Sequence, residues 1–149
     1  MRLLITAALL LLVIPWAAAA DDDEEKVKKA AKGYLRALRS KDVDAVMKTV
    51  DLPFLYEWER EPTAMPVELR KSFERFLKNI KTEQLPTDIG RLVDMQGVRK
   101  LFEQKTKQKA EDVVGERGFA VFLEREGQEL GPILIRLKDG KAVVVGMPR

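Results

Sequence analysis

The sequence predicts an α+β domain in which N-terminal helices pack on one face of an antiparallel sheet that ends in a β-meander. Three observations support this class. Apolar residues between Val27 and Leu38 recur at the spacing of one helix face. Apolar residues alternate along the chain from Phe119 onward. Asp139-Gly140 is a dipeptide that two-residue hairpin turns favour. Helices that come first and strands that come last predict separate layers.

The first twenty residues have the composition of a secretory signal peptide. Met1-Arg2 gives a positive start, an apolar stretch of twelve residues runs from Leu3 to Ile14, and small residues fill Ala17–Ala20. An uncleaved membrane anchor is the alternative, because Leu3–Ala20 spans eighteen residues, near the lower limit for a bilayer-spanning helix. The proline and alanines at its end shorten the strongly apolar part and favour cleavage after Ala20. We therefore expect a secreted or periplasmic protein without a transmembrane span in its mature form.

The chain divides into a signal peptide at residues 1–20, a flexible acidic lead at 21–25 and a single α+β domain at 26–149. The lead is a block of five acids, and blocks of like charge repel and stay solvated. A domain of this size buries enough apolar surface to fold without disulfide bonds. The chain has no cysteine and therefore no disulfide.

Composition excludes several classes of function. The chain has neither histidine nor cysteine, which removes the common nucleophile–base pairs and the common zinc and haem sites. We expect no metal, no cofactor and no assigned catalytic residue. The 27 basic and 24 acidic residues nearly balance, which argues against nucleic acid as a partner.

Each helix and strand has a local signal. Asp42 is placed to cap a second helix, and Pro66 to begin a third. Residues 97–114 predict one frayed helix or two short ones. Alternation predicts an extended segment over Phe54–Trp58 and a weak strand over Ile89–Met95. It predicts further strands over Phe119–Leu123, Leu130–Leu137 and Ala142–Met147. The polar, proline-containing stretch Glu59–Pro66 predicts a loop.

The pattern resembles a known superfamily. The first helix through Tyr34, the Lys41-Asp-Val-Asp-Ala-Val segment, Pro53-Phe54 and the closing Asp139–Gly146 strand are similar to the nuclear transport factor two superfamily, also called ketosteroid-isomerase-like or SnoaL-like. The resemblance implies an exported bacterial member whose curved sheet wraps around helices as a cone with an apolar pocket. Residues 88–114 hold more helix and less strand than a typical member. No catalytic residue of the family can be matched.

One cluster stands out as a candidate ligand site: Tyr56, Glu57, Trp58 and Arg60. In a cone-like fold this segment could line the mouth, where a phenol or indole orients a ligand. The alternative is that these aromatic residues only pack in the core.

Two charged features have weaker functional interpretations. The acids at 21–25 could bind calcium loosely, although solvation explains them. Lys28, Lys32, Arg36 and Arg39 share one side of the first helix, where an anionic lipid surface or an acidic partner could dock, although many surface helices have such a face.

The leading functional hypothesis is an exported, non-enzymatic domain that binds a small apolar ligand or an envelope protein. The alternative is a small envelope isomerase or hydrolase that uses Tyr56 and a carboxylate. A third is an interaction module that forms a homodimer through its open sheet.

The processing prediction is tested by the intact mass of the exported protein. Removal of the signal peptide should leave Asp21 as the first residue. A mass that retains residues 1–20 would support the membrane-anchor alternative.

Overall fold

The computed structural model describes residues 16–149, with side chains from Ala20 onward. Most of the predicted signal peptide therefore lies outside the described residues. The helices are α1 (Trp16–Ser40), α2 (Val43–Met47), α3 (Pro66–Asn79), α4 (Met95–Lys105) and α5 (Ala110–Val114), with a short 3-10 turn at Thr82–Gln84. The strands are β1 (Val50–Leu55), β2 (Asp88–Val93), β3 (Gly118–Arg125), β4 (Gln128–Lys138) and β5 (Lys141–Gly146).

Helix α1 begins earlier than the sequence predicted. The acids at 21–25, expected to form a flexible lead, lie within this helix. Lys26 pairs with Asp22 at 2.7 Å and Lys28 with Glu24 at 3.6 Å, both one helical turn apart. Such pairs, together with an ion pair from Arg117 to Asp23, offset the repulsion on which the expectation of a flexible lead depended.

The five strands form one curved, unclosed sheet in the order β1-β5-β4-β3-β2. Strands β2 to β5 pair antiparallel, whereas β1 lies parallel to β5. The α+β class and the C-terminal β-meander are confirmed, and the sheet is mixed rather than wholly antiparallel. Asp139 and Gly140, with φ of 52° and 73°, form the predicted left-handed turn between β4 and β5.

Helices α1, α2 and α3 cover one face of the sheet. The predicted apolar stripe of α1 is buried there, with Val27, Tyr34 and Leu38 fully inaccessible to solvent. Asp42 caps α2 as predicted, because its carboxylate accepts from the backbone N–H of Asp44 and Ala45. These helices pack on residues of β1, β3, β4 and β5 that point to the same side of the sheet.

Helices α4 and α5 lie on the opposite face, which the sequence prediction left open to solvent. They pack on Ala120, Leu134 and Val145, whose neighbours along the strands point into the first layer. These strands are therefore apolar on both faces over short continuous stretches, as in sheets covered on both sides. The two short helices were one of the alternatives that the sequence left open for residues 97–114.

The extended segment around Tyr56 differs from its prediction. Strand β1 ends at Leu55, and Trp58 lies beyond it. Phe54 makes two backbone hydrogen bonds with Thr63, which fold the 59–63 loop back along the strand. The alternation of aromatic residues therefore continues past the end of the strand into a turn.

Phe102→Ala tests whether the second layer is packed. The Phe102 ring is buried between α4 and the sheet, so its removal should lower the free energy of unfolding by about 3–5 kcal/mol. Urea denaturation measures the change. Exposed Glu103→Ala is the control and should stay within about 0.5 kcal/mol of the parent protein. Equal, small losses in both variants would contradict the packing of α4 on the sheet.

Candidate functional site

Three of the four predicted site residues line one open groove. Tyr56, Glu57 and Arg60 follow β1 and face the second half of α3 across a cavity of about 730 Å³. Arg75 and Phe76 of α3 line the same groove, as does Arg149, which follows β5. Strand β1 lies beside β5, which is why residues so distant in sequence meet here.

Trp58 lies elsewhere. Its side chain is only 9% exposed and packs edge-on against Phe102, with ring centroids 5.4 Å apart, in the α4–α5 layer. Because the chain turns after Leu55, the side chains of Tyr56 and Trp58 lie in different layers of the fold. Trp58 thus packs in the core, which was the alternative interpretation of the aromatic residues, whereas Tyr56 is half-buried at the edge of the groove.

An aromatic cluster fills the interior beneath the groove. The Tyr56 ring lies 6.1 Å from Phe73 and 6.4 Å from Phe54, and Tyr34 contacts Phe73 at 6.4 Å. The buried Tyr34 hydroxyl donates to the Met147 sulfur at 3.3 Å. The apolar pocket that the family resemblance implied is therefore occupied at this place by the protein's own side chains, and the accessible space lies outside them.

Arg149 covers the aromatic wall of the groove. Its guanidinium lies 4.8 Å from the Tyr56 ring centroid and 4.7 Å from that of Phe76, and it donates to the Tyr56 hydroxyl. A cation over an aromatic face is attracted by the ring quadrupole. The groove thus combines apolar surface with a positive charge at one place.

Both tyrosines remain protonated at neutral pH. Burial raises the pKa of Tyr56, and the charge and hydrogen bond of Arg149 oppose this only in part. Burial raises the pKa of Tyr34 well above its ordinary value. The Tyr56 hydroxyl is therefore a neutral hydrogen-bonding group rather than a base.

The groove has more positive than negative charge available to a ligand. Glu57 pairs with Arg60 at 2.8 Å, which neutralises both. Among the residues that the structure describes, Arg75 and Arg149 have no carboxylate within ion-pair distance. Arg75 is close enough for its charge to lower the pKa of Tyr56. Arg75 and Arg149 thus both act on Tyr56, and Glu61 is the remaining acid among the lining residues.

Sequence reasoning did not identify Arg75, Phe76 and Arg149 as site residues. Phe76 lies at the apolar spacing of a helix face, which indicates packing, and the two arginines have no distinctive spacing relative to Tyr56. Only the pairing of β1 with β5 brings Arg149 to Tyr56, and this contact joins residues 93 positions apart.

Other catalytic and metal-binding arrangements are not evident in the described residues. Over 20–149, no charged side chain is buried and no group of three acidic residues could hold a metal ion. A second cavity of about 620 Å³ lies between α5 and β4, where Arg136 is paired with Asp51 at 2.7 Å. Within 16–149, no helix has the length and apolar composition needed to cross a bilayer.

Comparisons with known proteins bear on the fold alone. No protein-family model and no curated protein matches the sequence. A protein of unknown function with a cystatin-like fold, from Nostoc punctiforme PCC 73102, superposes with a TM-score of 0.51 and 16% identity, covering 83% of this chain and 86% of that one.

Two further structures have lower scores. An NTF-2-like protein of unknown function from Shewanella oneidensis MR-1 has a TM-score of 0.42 and 13% identity, covering 83% of this chain and 95% of that one. A putative calcium/calmodulin dependent protein kinase II association domain from Xanthomonas campestris has a TM-score of 0.40 and 15% identity, covering 98% and 93%. The fold that the resemblance implied, with helices packed on a curved sheet, is confirmed, and the similarity bears on the fold alone.

The raised tyrosine pKa values predict a loss of stability at alkaline pH. A tyrosine whose pKa is higher in the folded than in the unfolded state keeps its full contribution to stability below the unfolded pKa, about 10. That contribution is lost as pH rises through the folded pKa. We therefore expect the free energy of unfolding to fall above about pH 10.

Arg149→Met should move the phenolate titration to higher pH. The substitution removes the charge that lowers the Tyr56 pKa and keeps an unbranched side chain over the ring. Phenolate absorbance measures the titration, because the chain has only two tyrosines. Arg91→Met, which removes an arginine stacked on Phe122, is the control and should leave the titration unchanged. A downward shift in Arg149→Met would contradict the role given to Arg149.

Proposed function

We propose that this protein is an exported, non-enzymatic binding domain whose Tyr56 groove takes a small ligand with an anionic group and an apolar body. The observation that carries the proposal is the pair of guanidinium groups without an ion-pair partner, Arg75 and Arg149, in the same groove as a neutral phenol. Export is supported by the leader sequence, and binding by the form and chemistry of the groove.

The anionic part of the ligand is inferred from the arginines. A guanidinium donates two parallel hydrogen bonds to a carboxylate or phosphate, and its charge strengthens them. Arg149 donates one hydrogen bond to the Tyr56 hydroxyl, and its other N–H groups remain available to a ligand. Three further polar side chains line the same groove and can donate to other oxygen atoms of the ligand: Ser72, Asn79 and Gln84.

The apolar part is inferred from the groove wall. The Phe76 ring and the side chain of Ile80 are both half-buried and line the cavity beside Tyr56. They offer an apolar surface next to the charged groups, so a flat or aliphatic body can lie against them. The sequence-based hypothesis of a purely apolar ligand is thereby replaced by that of an amphipathic one.

A binding role is supported over the enzyme alternative by the state of the candidate groups. Tyr56 is protonated and already bonded to Arg149, and its nearest acidic neighbour in the chain, Glu57, is paired with Arg60. A general acid–base pair needs a carboxyl group with a shifted pKa within reach of the substrate. Of the carboxyl groups that line the groove, Glu57 is held by Arg60 and Glu61 is exposed to solvent, and Glu111, whose pKa Arg99 lowers, lies at the second cavity.

The proposal is tested with a matched pair of probes, 2-naphthoate and its uncharged amide, by NMR titration. Naphthoate should shift resonances of the groove residues, and the amide should bind at least about tenfold more weakly, since one charge-assisted hydrogen bond contributes about 1.5–3 kcal/mol. The double variant Arg75→Met/Arg149→Met should lose this preference.

Arg91→Met is the matched control, because Arg91 also stacks on an aromatic ring, 3.9 Å above Phe122, but outside the groove. It should bind naphthoate as the parent protein does. Equal binding of the acid and the amide, or shifts confined to residues outside the groove, would overturn the proposal.

A further inference from the structure

Basic residues are segregated from acidic ones over the segment from Lys26 to Lys41. Seven of the 27 basic residues of the protein, and none of its 24 acidic residues, lie between Lys26 and Lys41. The chain as a whole has a formal net charge of only +3, so the remainder has more acidic than basic residues. This segregation of charge is not required by the groove.

Five of these basic residues are exposed and form the basic face of α1, which consists of Lys28, Lys29, Lys32, Arg36 and Arg39. At about 100° per residue they fall within an arc of roughly 100°, and from first to last they extend about 16 Å along the helix. The opposite side of α1 is buried on the sheet. The basic face is therefore directed away from the protein.

Much of this charge is uncompensated. Lys28 pairs with Glu24, and Arg39 donates to the Pro86 carbonyl, but within the described residues Lys29, Lys32 and Arg36 have no carboxylate within ion-pair distance. The acids at 21–25 lie at the N-terminal end of the helix. The positive potential is thus strongest in the middle and C-terminal half of α1.

The basic face adjoins the groove. Lys41, directly after α1, donates to the Ile80 carbonyl at 2.6 Å, and Ile80 lines the groove. Arg39 reaches the carbonyl of Pro86 just beyond the same segment. A surface that docks along the C-terminal half of α1 would therefore lie close to one rim of the groove.

We propose that the basic face of α1 docks on the anionic headgroups of a lipid bilayer. Its lysines are compact, mobile charges suited to a dense layer of phosphates, and each basic side chain near such a surface adds to the attraction. A bilayer presents these phosphates over a wide plane, which matches an exposed linear face without a recognition pocket. The predicted export places the protein beside such a surface.

The test is co-sedimentation of the protein that lacks its leader with vesicles of phosphatidylcholine, with or without phosphatidylglycerol. This form keeps the buried core, which begins at Val27 in the described residues. We expect binding only to the anionic vesicles and loss of binding at about 0.5 M salt, where charges are screened beyond a few ångströms.

Two triple variants with the same change in net charge locate the surface. Lys29→Glu/Lys32→Glu/Arg36→Glu should lower vesicle binding at least about tenfold, at roughly 1 kcal/mol per basic residue. Lys105→Glu/Lys107→Glu/Lys109→Glu alters three exposed lysines near α4 and α5 and should bind nearly as the parent protein does. Lys29→Arg/Lys32→Arg should retain binding.

Other outcomes overturn the proposal. Equal losses in both triple variants would mean that net charge alone drives binding, and binding to DNA without binding to anionic vesicles would assign the face to another polyanion. Circular dichroism and urea denaturation verify that the glutamate variants are folded. Because Arg75→Met/Arg149→Met should still bind vesicles, failure of the groove proposal is distinguishable from failure of this one.

Discussion

The packing of Phe73 against Tyr34, Phe54 and Tyr56 is the interaction on which the rest of the structure depends. These four rings come from α3, α1, β1 and the residue after β1, with centroids 5.4 to 6.4 Å apart. Three of the rings are fully buried, and edge-to-face aromatic pairs each contribute about 0.5–1.5 kcal/mol beyond the burial of their area. The cluster holds the first-layer helices on the sheet and fills the space between them.

Filling the interior determines where a ligand can bind. Tyr56 takes part in the cluster with its ring and leaves its hydroxyl at the edge, where Arg149 reaches it. The accessible cavity is therefore an outer groove with arginines on an aromatic wall. A cone with an empty centre would favour apolar ligands, whereas this arrangement favours a ligand with one charged end. The basic face of α1 adds a second positive surface beside one rim of the groove.

The sequence predicted best those features that depend on residues close together in the chain. The apolar stripe of α1, the Asp42 cap and the Asp139-Gly140 turn depend on neighbours within a few residues, and all three are confirmed. The acids at 21–25, expected to form a flexible lead, lie within α1, where ion pairs one helical turn apart hold Asp22 and Glu24. Of the four residues predicted to form one cluster, three line the same groove, namely Tyr56, Glu57 and Arg60, whereas Trp58 packs against Phe102 in the other layer.

By itself the sequence determined the order of helices and strands, the hairpin at Asp139-Gly140, the absence of histidine and cysteine, and the run of basic residues from Lys26 to Lys41. Each of these is a property of composition or of residues close in the chain. Only the tertiary structure decided that the sheet is covered on both faces and that Arg75 and Arg149 meet Tyr56. Those features depend on the parallel pairing of β1 with β5 and on the packing of distant side chains. No local pattern encodes such contacts, since they form only when the whole core assembles.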